Sequence, residues 1–440
     1  MQNEVNSRGL PTRQHASPSF SEAFKTWTRI GLLSFGGPTA QIALMHKIVV
    51  DEKQWLSEKQ YLSALSFCML LPGPEAMQLA TYAGWRLHGL KGGLAAGLMF
   101  VLPGAAVVLT LSMIYAAFGK VPVVEAVFFG VKAAVLVIVI EALLRISRRA
   151  LKAKWHWVLA ALSFVAIFFL GAPFPLLIAL AAFIGFVVGD NDKETTPGVP
   201  VRATVFDTMR TVGVWLAIWF VPLFGLAAFF GRDHVITQLG WFFSKLAVVT
   251  FGGAYAVLAY MGQDVVAHRG WLEAGQMMDG LGLAETTPGP LILVTEFVGY
   301  LAAFQHGGGP AVAMGMLGAL VALWATFVPC FLWIFAGAPY IEWIIAQPRL
   351  RSALSAITAA VVGVILNLAV WFGLHVFFGK VEPISTAGLK FWMPELATLD
   401  WRVVVLALVS GYLLLWRHWG IAAMLGVASA LALIIKFVGV

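Results

Sequence analysis

The sequence is poor in charge: Asp, Glu, Lys and Arg supply only 12% of its 440 residues, against 60% apolar residues and a mean hydropathy of +0.86. Soluble domains carry roughly a quarter charged residues, so this scarcity excludes a soluble chain and marks a polytopic membrane protein. Cysteine is nearly missing as well. Cys68 and Cys330 sit in apolar stretches at unrelated positions, which argues against a disulfide framework and against a Cys-built metal site. There is no Gly-x-x-x-x-Gly-Lys-[Ser/Thr] loop, no soluble stretch large enough for an ATPase, no dinucleotide fingerprint and no paired His for haem. An ATP-driven pump and a membrane redox enzyme are therefore disfavoured, and neither cofactor nor metal is expected. Residues 1–23 are polar and lack the apolar core of a cleavable signal; they read as a cytoplasmic tail, with the first apolar span as insertion signal. The net charge of +7 reads as Lys and Arg in cytoplasmic loops, an orientation signal, rather than as a nucleic-acid surface.

What is present is a duplication. The stretch from Ser34-Phe-Gly-Gly-Pro38 to Pro72-Gly-Pro74 returns 216 residues later as Thr250-Phe-Gly-Gly253 to Pro288-Gly-Pro290. Without a gap, Phe35 falls on Phe251, Gly36 and Gly37 on Gly252 and Gly253, Met45 on Met261, Trp55 on Trp271, and Gln60 on Gln276. Both copies carry helix breakers inside apolar segments.

Segments of about 20 apolar residues can span a bilayer as helices. The first unit, 24–189, contains spans at 24–46, 57–88, 92–118, 123–146, 155–170 and 173–189. A charged linker, 190–207, and a connecting helix, 208–230, lead to the second unit, 237–440, with spans at 237–261, 273–304, 310–337, 351–378, 400–416 and 419–437. The expectation is an all-α membrane protein of about thirteen segments in two homologous repeats. Segments 57–88 and 273–304 are too long for one straight helix and carry Pro-Gly-Pro at their middle, so each is a broken or re-entrant helix. The basic cluster Arg145, Arg148, Arg149, Lys152 and Lys154 follows the fourth span of the first unit, whereas Arg349 and Arg351 precede its counterpart in the second. Placing both clusters in the cytoplasm inverts the second repeat relative to the first. Counting each broken segment as a crossing puts seven crossings between equivalent points, also an inversion; counting only the Pro-Gly-Pro segments as hairpins gives six and parallel repeats.

Breaks at membrane depth are tolerated only where protein or a water-filled cavity covers the freed backbone groups. Proline removes a donor, glycine permits unusual dihedrals, and the half-helix that follows offers N–H groups and a positive dipole end to an anion. Inverted repeats with broken helices are the architecture of secondary transporters, whose site lies near the midplane; Pro and Gly also serve membrane helices as packing residues. Arg29 and Lys245 stand at one repeat position, with six residues between each and the paired glycines, and are the candidate cations. Glu75, Glu285 and Glu296 flank the Pro-Gly-Pro breaks and are candidate proton carriers, since a carboxylate in an apolar site can take up and release protons near neutral pH. Gln41, Gln78, Thr81, Thr286 and Thr287 can donate to oxyanion oxygens, although Thr in a membrane helix commonly bonds its own backbone. Lys132, mid-span, reads as a structural partner of Glu125 or Glu141, Arg86 as a positive-inside anchor, and His46 and His88 as interfacial.

The text FGGPTAQIALMHKIVV, LLPGPEAMQLATYAGWRLHG and GGLAAGLMFVLPG, with KLAVVTFGGAYAVLAYMGQDVV and GLAETTPGPLILVTEFVGYLAAF in the second unit, resembles the chromate ion transporter family in its long two-domain form. The resemblance implies export of chromate from the cytoplasm and chromate resistance, with sulfate as a competing analogue, in the cytoplasmic (inner) membrane of a bacterium. Its motifs map onto Phe35, Gly36, Gly37, Pro38, Pro72, Gly73, Pro74 and Glu75 and their second-unit partners, among them Phe251, Gly252, Gly253, Pro288, Gly289 and Pro290, with Ala254 in place of Pro38. The partners expected are the oxyanion and membrane lipid, with a homodimer compatible but not selected by any signal. Two rival readings stay open: a carrier of sulfate or another oxyanion, and a passive anion channel.

Overall fold

The computed structural model describes residues 18–119, 121–188, 204–251, 254–345, 347–386 and 389–438. Most of the expected tail and linker, and the pair Gly252 and Gly253, lie outside them.

The first repeat opens with α1 (Phe20–Leu33), which stops at Ser34 and turns through Gly36 into α2 (Gly37–His46) and a π-helical turn, Lys47–Glu52. The turn brings the chain back to where it began: Lys53 reaches Glu22 at 2.8 Å and the Trp55 ring packs near Trp27. A capping box, with the Gln60 side chain accepting from the Ser57 N–H, starts α3 (Glu58–Cys68) on the same face, beside His46. After Pro72-Gly73-Pro74, α4 (Glu75–Phe118) first runs outward as residues 75–87, then reverses at His88 and Gly89, which have non-helical dihedrals. Gly84 packs on Gly92 and Gly97 on Thr81, so the two arms of α4 are antiparallel. The reversal lies on the starting face as well, because the His88 ring sits on Phe20 and 2.8 Å from the Pro18 carbonyl.

Both breaks of the first repeat are thus tips of hairpins that enter and leave through one face, called here the near face. An arm of 14 residues spans about 21 Å, enough to reach the middle of a bilayer and no further. Complete passages follow: residues 90–118 of α4 run to the far face, α5 (Pro122–Ala150) returns, and α6 (Lys154–Phe168) and α7 (Phe174–Val188) form a further pair. The connecting helix is α8 (Val205–Phe230), whose Thr208 and Phe230 ends meet Tyr340 on the near face and His234 on the far face.

The second repeat rebuilds the first from the far face. α9 (Val235–Val249) and α10 (Ala254–Gln263) make its first hairpin, closed by a second π turn, Asp264–His268; α11 (Ala274–Thr286), Pro288-Gly289-Pro290 and α12 (Val294–His306) make the next. His234 near the Gly307 carbonyl, His306 near the Trp271 carbonyl and Arg269 bonded to Gln238 bring all those ends to one face. Long helices α13 (Ala311–Gly337) and α15 (Pro348–Phe377) follow, with the short α14 (Ile341–Ile345) between them, then α16 (Trp401–Gly411) and α17 (Ile421–Val438). The duplication reaches fine detail: Trp55 N–H donates to Val49 at 2.8 Å and Trp271 N–H to Val265 at 2.9 Å, and Gln276 caps the Glu273 N–H as Gln60 caps Ser57.

All thirteen expected apolar segments are therefore helical, and four of them are hairpins rather than straight passages. The sequence reading missed one addition: β1 (Val381–Thr386) and β2 (Leu389–Pro394) pair antiparallel on the far face, where the Lys390 N–H bonds the Phe169 carbonyl. Helices α4, α5, α8 and α15, and the unit from α13 to α14, are long and apolar enough to cross a membrane.

Candidate functional site

The four hairpin tips meet inside the molecule, and they meet reciprocally. In each Pro-Gly-Pro only glycine has an N–H, and neither of those N–H groups is free. The Gly73 N–H donates to the Thr250 carbonyl and the Gly289 N–H to the Ser34 carbonyl, both at 2.8 Å. Ser34 and Thr250 occupy one repeat position, Gly73 and Gly289 another. Residue i of one unit touching j of the other, and j touching i, is the signature of a two-fold relation. Positive φ at Gly73 (+120°) and Gly289 (+90°) turns each loop so that its N–H faces across.

Two amides from the first repeat complete the crossing. Gln41 Nε2 donates to the Gly289 carbonyl at 2.6 Å, and Gln78 Nε2 to the Pro72 carbonyl at 2.7 Å. Their repeat counterparts are Val257 and Val294, so the side-chain amides that serve these two breaks both come from the first unit. Each amide leaves its Oε1 buried without a partner among the described residues. The backbone closes in directly at Gly104, where a Cβ would stand 2.2 Å from the Pro288 carbonyl oxygen.

The crossing corrects the expectation that the Pro-Gly-Pro N–H groups face a ligand: they hold the two repeats together. The open helix start is that of α2, with Gly36 in a left-handed conformation, Pro38 in the first turn, and Gly36, Thr39 and Ala40 exposed. An anion can meet main-chain N–H groups there.

The carboxylates lie close by. Glu75 is the first residue of α4 and half-buried. Glu285, buried in the last turn of α11, accepts a 2.7 Å hydrogen bond from Tyr255 Oη. Glu296 is 1% exposed on α12, and its Oε2 has no partner among the described residues. Thr286 and Thr287 donate to carbonyls of their own helix, at 2.8 and 3.1 Å.

The expected cations are elsewhere. Arg29 is largely exposed and paired with Glu52 on its own hairpin at 3.6 Å, and Lys245 is exposed over the Tyr260 ring. Both point along the return arm of their hairpin instead of toward its tip. The charges acting on the break carboxylates come from the end of α5: Arg149 on Glu75, and Arg145, with Glu141, on Glu285. Arg145, Arg148 and Arg149 line a cavity of about 520 Å³ on the near face with His418 and Trp419. Lys132 is also re-partnered. It lies 3.6 Å from Asp279, a residue the sequence reading passed over, and pairs with neither Glu125 nor Glu141. Two unmatched intramembrane charges of opposite sign, one in each repeat, were the signal that could have joined them.

The model of the chromate transporter family matches residues 21–186 and again 237–434, two stretches that begin at the offset of the duplication. The chain belongs to the chromate transporter family. It is 31% identical to a chromate transport protein of Pseudomonas aeruginosa over 89% of this chain and 91% of that one, and 30% identical to a chromate transport protein of Cupriavidus metallidurans over 81% and 84%. A probable chromate transport protein of Synechococcus elongatus is 28% identical over 90% of this chain and 96% of its own. No solved structure matches the chain. Within this family member, the reciprocal tips and the two glutamines form a buried polar crossing, and the α5 arginines line the near-face cavity.

Proposed function

We propose that this chromate transporter family member is a secondary carrier that exports chromate from the cytoplasm, working by alternating access between two inverted repeats. The observation that carries the reading is the reciprocal crossing of the four hairpin tips. Helices α4, α5, α6, α7 and α8 make five passages between the starts of the two repeats, because each hairpin returns to its own face. Five is odd, so the repeats face opposite ways. The near face carries Arg145, Arg148, Arg149, Lys152, Lys154, Arg349 and Arg351, which the positive-inside rule assigns to the cytoplasm.

Chromate enters from that side through the arginine-lined cavity. The dianion is held by main-chain N–H groups at the start of α2, around Gly36, Gly37 and Pro38, next to the crossing that Gln41 and the loops Pro72-Gly73-Pro74 and Pro288-Gly289-Pro290 form. Arg145 and Arg149 take the place of Arg29 and Lys245 as counter-charges. Glu75 and Glu285 lie close enough to sense the dianion, and a proton on either relieves its repulsion. The two halves then rock about the crossing, as inverted-repeat carriers do. An inside-negative potential of 100 mV drives a dianion outward with about 4.6 kcal/mol.

The test is chromate uptake by inside-out vesicles with and without an imposed potential. The expected result is saturable accumulation that rises with the potential and is slowed by sulfate. Flux that neither saturates nor shows counterflow would identify a channel instead.

A further inference from the structure

Beyond the crossing, the far face opens into a cavity of about 720 Å³ between the end of α4, the first half of α5 and the α11 hairpin, lined by Tyr115, Glu125, Lys132, Glu273, Asp279 and Gln305 among others. We propose that this cavity is a proton port and that Asp279 is the group in it that binds the coupling proton. The proposal rests on the export reading and adds to it the coupling ion and its place of entry.

Asp279 is 3% exposed. Tyr115 Oη donates to its Oδ2 at 2.7 Å, and Lys132 Nζ stands 3.6 Å from the same oxygen. Oδ1 is buried and without a partner among the described residues. The Lys132 side chain is 30% exposed and reaches the acid past Gly275, where a Cβ would lie 3.0 Å from Nζ. A carboxylate with one oxygen bonded and one without a partner, on the wall of this cavity, is placed to accept a proton. The groups facing it are Tyr115 from α4, Lys132 and Glu125 from α5 and Glu273 from α11, while α12 presents the uncharged Gln305. From α17, Lys436 reaches Glu125 at 3.3 Å and neutralises it.

The polarity of the openings supports the assignment. Glu273 and Asp279 outnumber Lys132 in the far-face cavity, so it favours protons over a dianion. On the near face the cavity of Arg145, Arg148 and Arg149 does the reverse. The duplication supplies a control within the molecule. The near face has its own cleft of about 640 Å³ at the equivalent place, lined by Glu58, Lys59, Ser63, Ser66, Ile345 and Arg351. There Ser63 stands at the repeat position of Asp279 and Lys59 at that of Gly275. The two halves share the cleft, and only the outward one carries the buried acid.

In the cycle, a proton from outer water adds to Asp279 Oδ1. The ion pair with Lys132 is then lost, and Lys132 keeps its own three protons. After the halves rock, the same proton leaves Asp279 for inner water. Two helices connect this event to the crossing: α11 carries both Asp279 and Glu285, and α5 carries both Lys132 and Arg145.

The experiment uses the full-length protein in proteoliposomes with two readouts, exchange of labelled for unlabelled chromate and accumulation driven by a pH gradient. Asp279→Asn is expected to keep exchange within about threefold of wild type while gradient-driven accumulation falls about tenfold or more, a coupling loss near 1.4 kcal/mol. Lys132→Gln is expected to keep exchange and move the midpoint of the outer-pH profile, which a purely structural pair would leave in place. Should Asp279→Asn fail to assemble, the double change Asp279→Asn with Lys132→Gln removes both charges and must show the same split. Gradient-driven accumulation unchanged in these variants, or exchange and accumulation falling together in all of them, overturns the proposal. Wild-type protein that exchanges no chromate removes the export reading and this one with it.

Discussion

Gly289→Val is expected to lower chromate flux about a hundredfold or more, with the protein still present in the membrane. A β-branched residue at φ +90° carries a backbone penalty of about 1–2 kcal/mol. Its Cβ would also stand 2.9 Å from Leu293 Cδ1 and 3.4 Å from the Gly104 backbone. Relieving that contact moves the loop away from Ser34 and Gln41 and breaks hydrogen bonds each worth about 0.5–1.5 kcal/mol net. Together these amount to about 3 kcal/mol, or two decades in an equilibrium constant. Gly308→Ala is the control: φ is +67° there, but nothing lies within 4 Å of the new Cβ. That change is expected to leave flux within about threefold, since only the backbone term of about 1 kcal/mol remains. Vesicle flux normalised to the amount of each protein checks the pair.

Removing both α5 arginines, Arg145→Ala with Arg149→Ala, is expected to raise the apparent KM for chromate tenfold or more. The attraction of a guanidinium for a dianion is reduced by the ions that enter the near-face cavity. The effect should therefore be larger at low ionic strength. Arg29→Ala is expected to change KM less than about twofold, because Arg29 is paired with Glu52 on the return arm of its own hairpin, away from the tip. Saturation curves for the variants at two salt concentrations decide the matter. A stronger effect at Arg29 than at Arg145 and Arg149 would return the site to the position the sequence suggested.

That contrast shows where the sequence was legible. Gly36, Gly73, Gly289, the flanking prolines and the Trp55–Trp271 pair announced both the duplication and the breaks, because a helix interior tolerates such residues only for a reason. The partners of the breaks could not be read the same way. The bond from Gly73 to Thr250 joins residues far apart in the chain, and nothing in hydropathy or spacing reports which tips meet. At Arg29 and Lys245 an equal repeat position fixes where a residue stands on its helix, but not that each of these side chains follows the return arm of its hairpin. Arg145 and Arg149 were visible only as a topology signal, since a cytoplasmic cluster at a helix end has that bland reading first. Hairpin against passage was equally hidden, because an arm of 14 residues and half of a broken span have the same composition. The structure resolves it through contacts such as Lys53 with Glu22 and His88 with Pro18, which bring the arms back to the face they left.

The central claim is that one fold stands twice in the membrane, facing opposite ways, with its hairpin tips joined at the middle. Gln54 and Gly270 occupy the same repeat position, both with positive φ, at the surface end of the first hairpin in each half. With Cys68 and Cys330, both buried, replaced by Ala, the variants Gln54→Cys and Gly270→Cys can be probed with a membrane-impermeant thiol reagent in sealed right-side-out and inside-out vesicles. Labelling of residue 54 from the cytoplasmic side and of residue 270 from the outside is the predicted result. Labelling of both from the same side would contradict the inverted arrangement.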